Sequence, residues 1–352
     1  MLGTVFFACT SHGNLDMIFM EVSLMERLAT TYLGLQLKNP IIVGSSPLTS
    51  SLDKLKRCED AGAGAVVVKS IFEEQIDSDA GRMMAGTDEY NTHADAQDFL
   101  LNSSRNYYID AYLSLVEQAT DALEIPVIAS VNCRSKGSWL DYIQRFADVG
   151  ADALELNHFI LPSDAKVDGE TLREEYFDVV KSARKAFKLP LAIKLSSQFT
   201  ALANVVKQFD KMGVDGLVLF NRFYQPDIDI EKLAIKPSVT LSNPHDYTLA
   251  LQWTALTSAY LNCDICASTG IHSSDTVVKM LLSGAKAVQV CSALMLHGHA
   301  HIGTMLDGLV QWMDRHDAAS FVDFRGKLAQ KRMEDPSHWE RAQYMKSLNV
   351  EF

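Results

Sequence analysis

The chain has 352 residues, 47% hydrophobic and 22% charged, a balance that suits one globular domain with a sizeable core. Its net charge of −12, with no long basic run, argues against nucleic acid or a membrane as partner. A small anion stays open as a ligand, because helix N-termini bind anions whatever the net charge.

The run from Met1 to Cys9 is apolar but lacks a basic segment and is too short for a signal or membrane helix. Met25 offers an alternative translation start, and residues 1–29 are read as an N-terminal extension with no assigned function. From Asn39-Pro40 onward the chain settles into a cadence of short apolar run, turn and helix-period segment. The runs are Ile41–Val43, Ala65–Val68, Val127–Ala129, Ala153–Leu156, Leu191–Ile193, Leu217–Phe220, Asp264–Ala267 and Ala287–Val290. Each is nearly continuous and rich in branched residues, as strands buried on both faces are. Amphipathic stretches lie between them, such as Leu52–Asp60, Tyr107–Leu123, Leu172–Phe187 and Asp275–Ser283. Gly62, Gly150, Gly213 and Gly284 stand where a helix would end in the left-handed region. Eight alternations predict an α/β fold of one domain, a (β/α)8 TIM barrel over 30–310, followed by a helical tail over 311–352. The polar stretch from Ile71 to Asn106 predicts an insertion over the barrel mouth.

In such barrels, polar residues at the C-terminal ends of strands carry function. Ser45-Ser46, Lys69-Ser70, Asn132, Asn157, Lys194 and Asn221 follow the first six runs. Ser268-Thr269-Gly270 and Cys291-Ser292 follow the last two. Singly these are ordinary loop and surface residues; the weight lies in six consecutive strand ends agreeing. Amides match the alternating donors and acceptors of a planar heterocycle, and a buried lysine stabilises the anion formed when a flavin is reduced. The small residues after strands seven and eight sit where these barrels cradle phosphate. A phosphorylated planar cofactor fits this ring, and FMN answers the description.

Two further patterns suggest metal. Cys263 and Cys266 form a CxxC, but in a predicted strand residues three apart face opposite sides. The six cysteines, including Cys9, Cys58, Cys133 and Cys291, form no paired framework and suit a reducing cytoplasm. His297 and His301 share a helical spacing, yet His299 faces elsewhere and no third ligand follows. That run reads as the solvated face of the last barrel helix.

From Thr31 to Leu306 the ordered series of motifs resembles the dihydroorotate dehydrogenase family, its soluble class 1 branch above all. The carriers are Leu37-Lys38-Asn39-Pro40, Ala61-Gly62-Ala63-Gly64-Ala65, Val68-Lys69-Ser70, Glu155-Leu156-Asn157, Ile193-Lys194-Leu195, Ser268-Thr269-Gly270-Ile271, Gln289-Val290 and Ser292-Ala293-Leu294. The resemblance implies FMN, with Ser45 and Ser46 beside its ring and Lys69 near both flavin and substrate. It implies Lys194 at the flavin's pyrimidine end, and Thr269, Gly270, Cys291 and Ser292 at its phosphate. Asn157 and Asn221 match substrate-contacting asparagines, and Asn102 aligns loosely with another. A homodimer and, in some relatives, an electron-transfer partner subunit are also implied.

The substrate half departs from the pattern. The loop after the fourth strand reads Asn157-His158-Phe159-Ile160-Leu161-Pro162-Ser163, where the family places a Cys or Ser base at the Ile160 position and a second asparagine. Arg222 stands where the family has a small residue. Ser163 is the nearest hydroxyl for a displaced catalytic base, with Lys69 as the other catalytic candidate; Ser163 as a mere helix cap is the plainer reading. Three functions follow: an FMN oxidoreductase acting on dihydroorotate or a related CH–CH donor, a Schiff-base aldolase using Lys194 or Lys69, or a flavin-binding protein that has lost dihydroorotate oxidation.

Overall fold

The structure, a computed structural model, describes residues 27–72, 94–133, 139–222, 225–236 and 240–340, with the backbone alone for 94–107 and 141. The hairpin β1 (Thr30–Tyr32) and β2 (Leu35–Leu37) comes first, then β3 (Ile41–Val43), β4 (Ala65–Val67) and the short β5 (Ile71–Phe72). The strands β6 (Val127–Cys133), β7 (Ala153–His158), β8 (Leu191–Leu195) and β9 (Gly216–Leu219) follow. A separate hairpin, β10 (Asp227–Asp229) and β11 (Ala234–Lys236), precedes β12 (Asp264–Ser268) and β13 (Ala287–Val290). Strands β3, β4, β6, β7, β8, β9, β12 and β13 pair in parallel around a closed ring, with β13 meeting β3 and β4 meeting β6. This is the (β/α)8 barrel that the cadence predicts.

The helices are α1 (Leu52–Asp60), α2 (Ala94–Ala122), α3 (Leu140–Asp148), α4 (Gly169–Ala186), α5 (Leu202–Lys211), α6 (Thr248–Thr257), α7 (Ser274–Ser283), α8 (Ser292–His297) and α9 (His301–Arg315). Their ends follow local chemistry. Ser273 Oγ accepts from Thr276 N to cap α7, and Gly284 closes the same helix at φ 113°. At the foot of the barrel Leu33 and Gly34 turn the first hairpin with φ of 56° and 76°, the two positive values a tight two-residue turn requires. That hairpin plugs the lumen. Tyr32, Leu33 and Leu37 pack on Ile42, Val67, Ile128, Val218 and Cys266 from the strands. A Cβ on Gly216 would lie 2.4 Å from Leu33 Cδ2, so the strand above the plug must be bare there.

Several boundaries move. β6, β7 and β8 run on past their apolar cores to Cys133, His158 and Leu195, so Asn132, Asn157 and Lys194 belong to strands rather than to loops. Part of the expected insertion is helix, since α2 begins at Ala94. His297 and His301 do not share a helix: Gly298 (φ 80°) separates α8 from α9. His301 Nε2 donates to the carbonyl of His272 at 2.8 Å. Past Arg315 the described tail holds 3-10 turns at Phe321–Asp323, Gln330–Arg332 and Pro336–Trp339 in place of the expected helix. Cys58, Cys133, Cys263, Cys266 and Cys291 are free thiols. No helix among the described residues is long and apolar enough to cross a membrane.

Candidate active site

Register builds the site. Asn132, Asn157 and Lys194 are Cα partners across β6, β7 and β8, so their side chains leave three neighbouring strands on one face at one level. Two residues back on that face, Ser130 and Glu155 are likewise partners. Lys194 and Glu155 are buried at 6% and 1% exposure, and Gln289 at 2%. Gln289 comes from β13, four strands round the ring from β7. Lys194 Nζ donates to Gln289 Oε1 at 2.8 Å and lies 3.4 Å from Glu155 Oε1. Gln289 Nε2 donates across the lumen to Glu155 Oε2. Glu155 Oε1 accepts no hydrogen bond, so the ammonium of Lys194 is what offsets its burial. A Cβ on Gly44 would stand 2.9 Å from Cys291 Sγ and 3.0 Å from Gln289 Oε1, so a bare glycine lets these two side chains pack against the strand end there.

Above this floor opens a cavity of about 460 Å³. Ser45, Ser46, Lys69, Asn132, Asn157, Lys194, Asn221, Thr269, Gly270, Cys291 and Ser292 all line it. The structure therefore brings together every cofactor candidate and two of the three substrate candidates, Asn157 and Asn221. Lys69, Lys194 and Arg222 line it too, and no Asp or Glu does among the described residues. Two of these cations are offset by carboxylates just outside the lining, Lys194 by Glu155 and Arg222 by Asp246, which leaves the lining weakly cationic.

One rim is a chain of hydroxyls. Ser70 N donates to Ser45 Oγ at 2.8 Å, and Ser70 Oγ lies 2.7 Å from Ser130 Oγ. Tyr112 OH fixes Ser130 by donating to its carbonyl at 3.0 Å and accepting from its N–H at 2.8 Å. On the opposite rim Thr269 and Gly270 both take positive φ, 78° and 74°. A Cβ on Gly270 would fall 2.2 Å from Tyr247 N, so only glycine lets this turn pass the start of α6. Ser292 Oγ accepts from Ser242 N at 3.0 Å, and Ser242 Oγ pairs with buried His272 Nε2 at 2.9 Å. Burial and the neighbouring His297 push His272 below the usual histidine range. Burial pushes the Cys291 thiol up, so it stays protonated at neutral pH.

Beside Asn157, Asn221 Nδ2 donates to Asn157 Oδ1, and Asn221 N to Leu195 O at 2.7 Å. Arg222 pairs with Asp246, which also accepts from Asn243 N at 3.0 Å. Burial raises the Asp246 carboxyl, but the Asn243 N–H and the guanidinium outweigh it and hold it below the usual range. The loop after β7 turns away. Ile160 packs on the core, with its N–H donating to Tyr176 OH at 2.9 Å. Ser163 is exposed and does not line the cavity, nor does it cap α4, whose cap is Asp168 accepting from Thr171 N at 2.8 Å. Asn102 lies in α2 where its side chain falls outside the described residues.

Glu155 and Gln289 were the residues sequence reasoning passed over as site members. The signal was period two: Glu155 precedes Asn157 by two positions and Gln289 precedes Cys291 by two, which puts each pair on one face.

The family model described as dihydroorotate dehydrogenase matches residues 27–313. Among curated relatives, the catalytic subunit of dihydroorotate dehydrogenase B (NAD(+)) of Methanocaldococcus jannaschii is 27% identical over 304 residues, covering 81% of this chain and 93% of that protein. The protein of the same name from Thermoplasma acidophilum is 26% identical, covering 86% and 99%. The chloroplastic dihydropyrimidine dehydrogenase (NADP(+)) of Arabidopsis thaliana is 25% identical, covering 85% and 76%.

Proposed function

The chain belongs to the dihydroorotate dehydrogenase family, a family of oxidoreductases, and from that premise we propose that its cavity binds FMN and oxidises a CH–CH bond in a small amide-bearing substrate. The observation that carries this reading is the in-register row Asn132, Asn157 and Lys194 beneath a cavity lined by three cations and no described acid. Family membership favours redox chemistry over the aldolase, and Lys194 is committed to Gln289 and Glu155 rather than free to form a Schiff base.

The residues present fit FMN. The cavity of about 460 Å³ has room for a planar ring and a phosphate, with Thr269, Gly270, Cys291 and Ser292 at the phosphate end. Asn132, Asn157 and Lys194 meet the polar edge of the ring, and Ser45 and Ser46 flank it. Bound there, FMN would accept the electron pair from the substrate. The chain's own part is to hold the cation of Lys194 at the ring's edge, to orient the substrate amide with the Asn157–Asn221 pair, and to take up a proton. Lys69, exposed on the lining, adds a cation beside the substrate but, as an ammonium, has no lone pair to take that proton; a base at Ser163 would need the loop after β7 to swing inward.

Dihydroorotate is the first substrate to test, and the packed Ile160 favours a second reading, a related CH–CH donor with a more acidic carbon. The experiment is anaerobic mixing of the FMN-loaded protein with dihydroorotate, in wild type and in Ser163→Ala. Fast bleaching of the flavin lost in Ser163→Ala establishes the displaced base. Bleaching in both rules Ser163 out as the base, and bleaching in neither points to the related donor.

A further inference from the structure

The cavity wall at Ser292 is held from further out. Ser292 Oγ accepts from Ser242 N at 3.0 Å, and both residues line the cavity. A hydroxyl has one hydrogen and two lone pairs. With the Ser242 N–H on its oxygen, Ser292 still has its own hydrogen to give, and the cavity it lines is open to it. Ser292 begins α8, and a serine so placed readily turns its hydroxyl onto nearby backbone instead. The bond from Ser242 therefore fixes which way the hydroxyl points.

Ser242 is held in turn by His272. Its Oγ lies 2.9 Å from His272 Nε2, and the two residues are 6% and 7% exposed. Ser242 stands between β11 and α6, and His272 in the turn between β12 and α7, so one bond joins two separate parts of the wall. His272 is fixed at its backbone, where its carbonyl accepts from His301 Nε2 at 2.8 Å. The histidine run, whose spacing suggested half a metal site, thus contributes a brace that runs from α9 through His272 and Ser242 to Ser292. Burial first, then the nearby His297 and His301, push His272 below the usual histidine range, against a smaller pull from the Ser242 backbone and Asp246. Its ring is therefore neutral at pH 7 and acts by hydrogen bonding, not by charge.

We propose that His272 is a positioning residue for a phosphate group in this cavity, holding Ser292 through Ser242 so that its hydroxyl donates to the anion, and that the cavity thereby selects a phosphorylated flavin over the phosphate-free form. This selection rests on the FMN reading above and adds the residues that read the phosphate. His272 does not itself line the cavity, so it acts only through Ser242. A donor already aimed loses no freedom when the anion arrives. A hydrogen bond to a charged oxygen is also roughly twice as strong as one between neutral groups. Riboflavin carries the same ring and lacks only the phosphate, so a change confined to this brace shows against FMN alone.

The test is titration of the flavin-free full chain with FMN and with riboflavin, followed by quenching of flavin fluorescence, for wild type, His272→Ala, His272→Gln and Ser242→Ala. Wild type should bind FMN about a hundredfold more tightly than riboflavin. His272→Ala and Ser242→Ala should each lose about tenfold in FMN affinity, the scale of one hydrogen bond to a charged group, with riboflavin affinity within about twofold of wild type. His272→Gln, whose neutral amide can replace the bond from Nε2, should recover most of that loss. A His272→Ala variant that weakens both flavins alike has only a structural effect and overturns the proposal, as does one that weakens neither. His272→Gln binding FMN no better than His272→Ala overturns it as well. A wild type that binds neither flavin overturns the FMN reading and this proposal together, which separates that failure from the others.

Discussion

Removing the ammonium of Lys194 alone leaves Glu155 as a buried carboxylate whose Oε1 accepts no hydrogen bond. Breaking a buried pair on one side typically costs ~3–5 kcal/mol, so Lys194→Met should be strongly destabilised in denaturant melts. Adding Glu155→Gln removes the stranded charge and should restore most of that loss; a double variant no more stable than the single one would mean that the pair does not interact. The same background gives a clean test of the lysine's effect on the cofactor. Between Glu155→Gln and Glu155→Gln/Lys194→Met, the FMN reduction potential should fall by more than ~15 mV, equivalent to ~0.7 kcal/mol for two electrons. A smaller shift in redox titration places the lysine too far from the ring to matter. At the phosphate end, Ser292→Glu would set a carboxylate against the phosphate. FMN affinity, followed by fluorescence quenching, should drop at least tenfold, and unchanged affinity would remove Ser292 from the phosphate contact.

At the scale of elements, the site depends on how tightly turns pass one another. Gly270 meets the first backbone of α6, and an added Cβ would lie 2.2 Å from Tyr247 N at a positive φ of 74°. Gly270→Ala should cost at least ~2 kcal/mol and weaken cofactor binding together with stability; a variant with wild-type melting would show that the turn can shift freely. The join between α5 and β12 rests on one carboxylate. Asp210 accepts from Lys207 Nζ at 2.7 Å and from the N–H groups of Asn262 and Cys263, both at 2.9 Å. Burial raises its pKa, but Lys207 and the two N–H groups outweigh that and hold it below the usual carboxylate range. The sign follows. A depressed folded pKa contributes stability that is present above the unfolded value of ~3.9 and is lost as pH falls through the folded value. Asp210→Asn should therefore lower stability at pH 7 and flatten the acid limb of the stability profile. An acid limb of unchanged slope would contradict this.

For the whole molecule, the barrel and the ring of polar residues at its mouth were legible in the sequence because both follow from alternation. Apolar runs of three or four residues at steady spacing, alternating with helices, close as parallel strands, and polar residues at their ends converge on one mouth. What alternation could not give was which polar groups bond across the lumen. Gln289 meets Glu155 only because β13 and β7 stand on opposite sides of a closed ring. No local pattern carries that distance. The histidine run misled for the opposite reason, since helical spacing held while Gly298 broke the helix. The β10–β11 hairpin was absent from the reading because its apolar residues face outward, where burial patterns carry no signal.

Whether this mouth holds FMN is decided by the flavin content of the protein itself. Protein purified in its native state, then denatured and its supernatant analysed by chromatography, should release close to one FMN per chain; if none is released, adding FMN to the native protein should quench flavin fluorescence to a one-to-one endpoint. Protein that releases no FMN and leaves added FMN fluorescence unquenched would contradict the account.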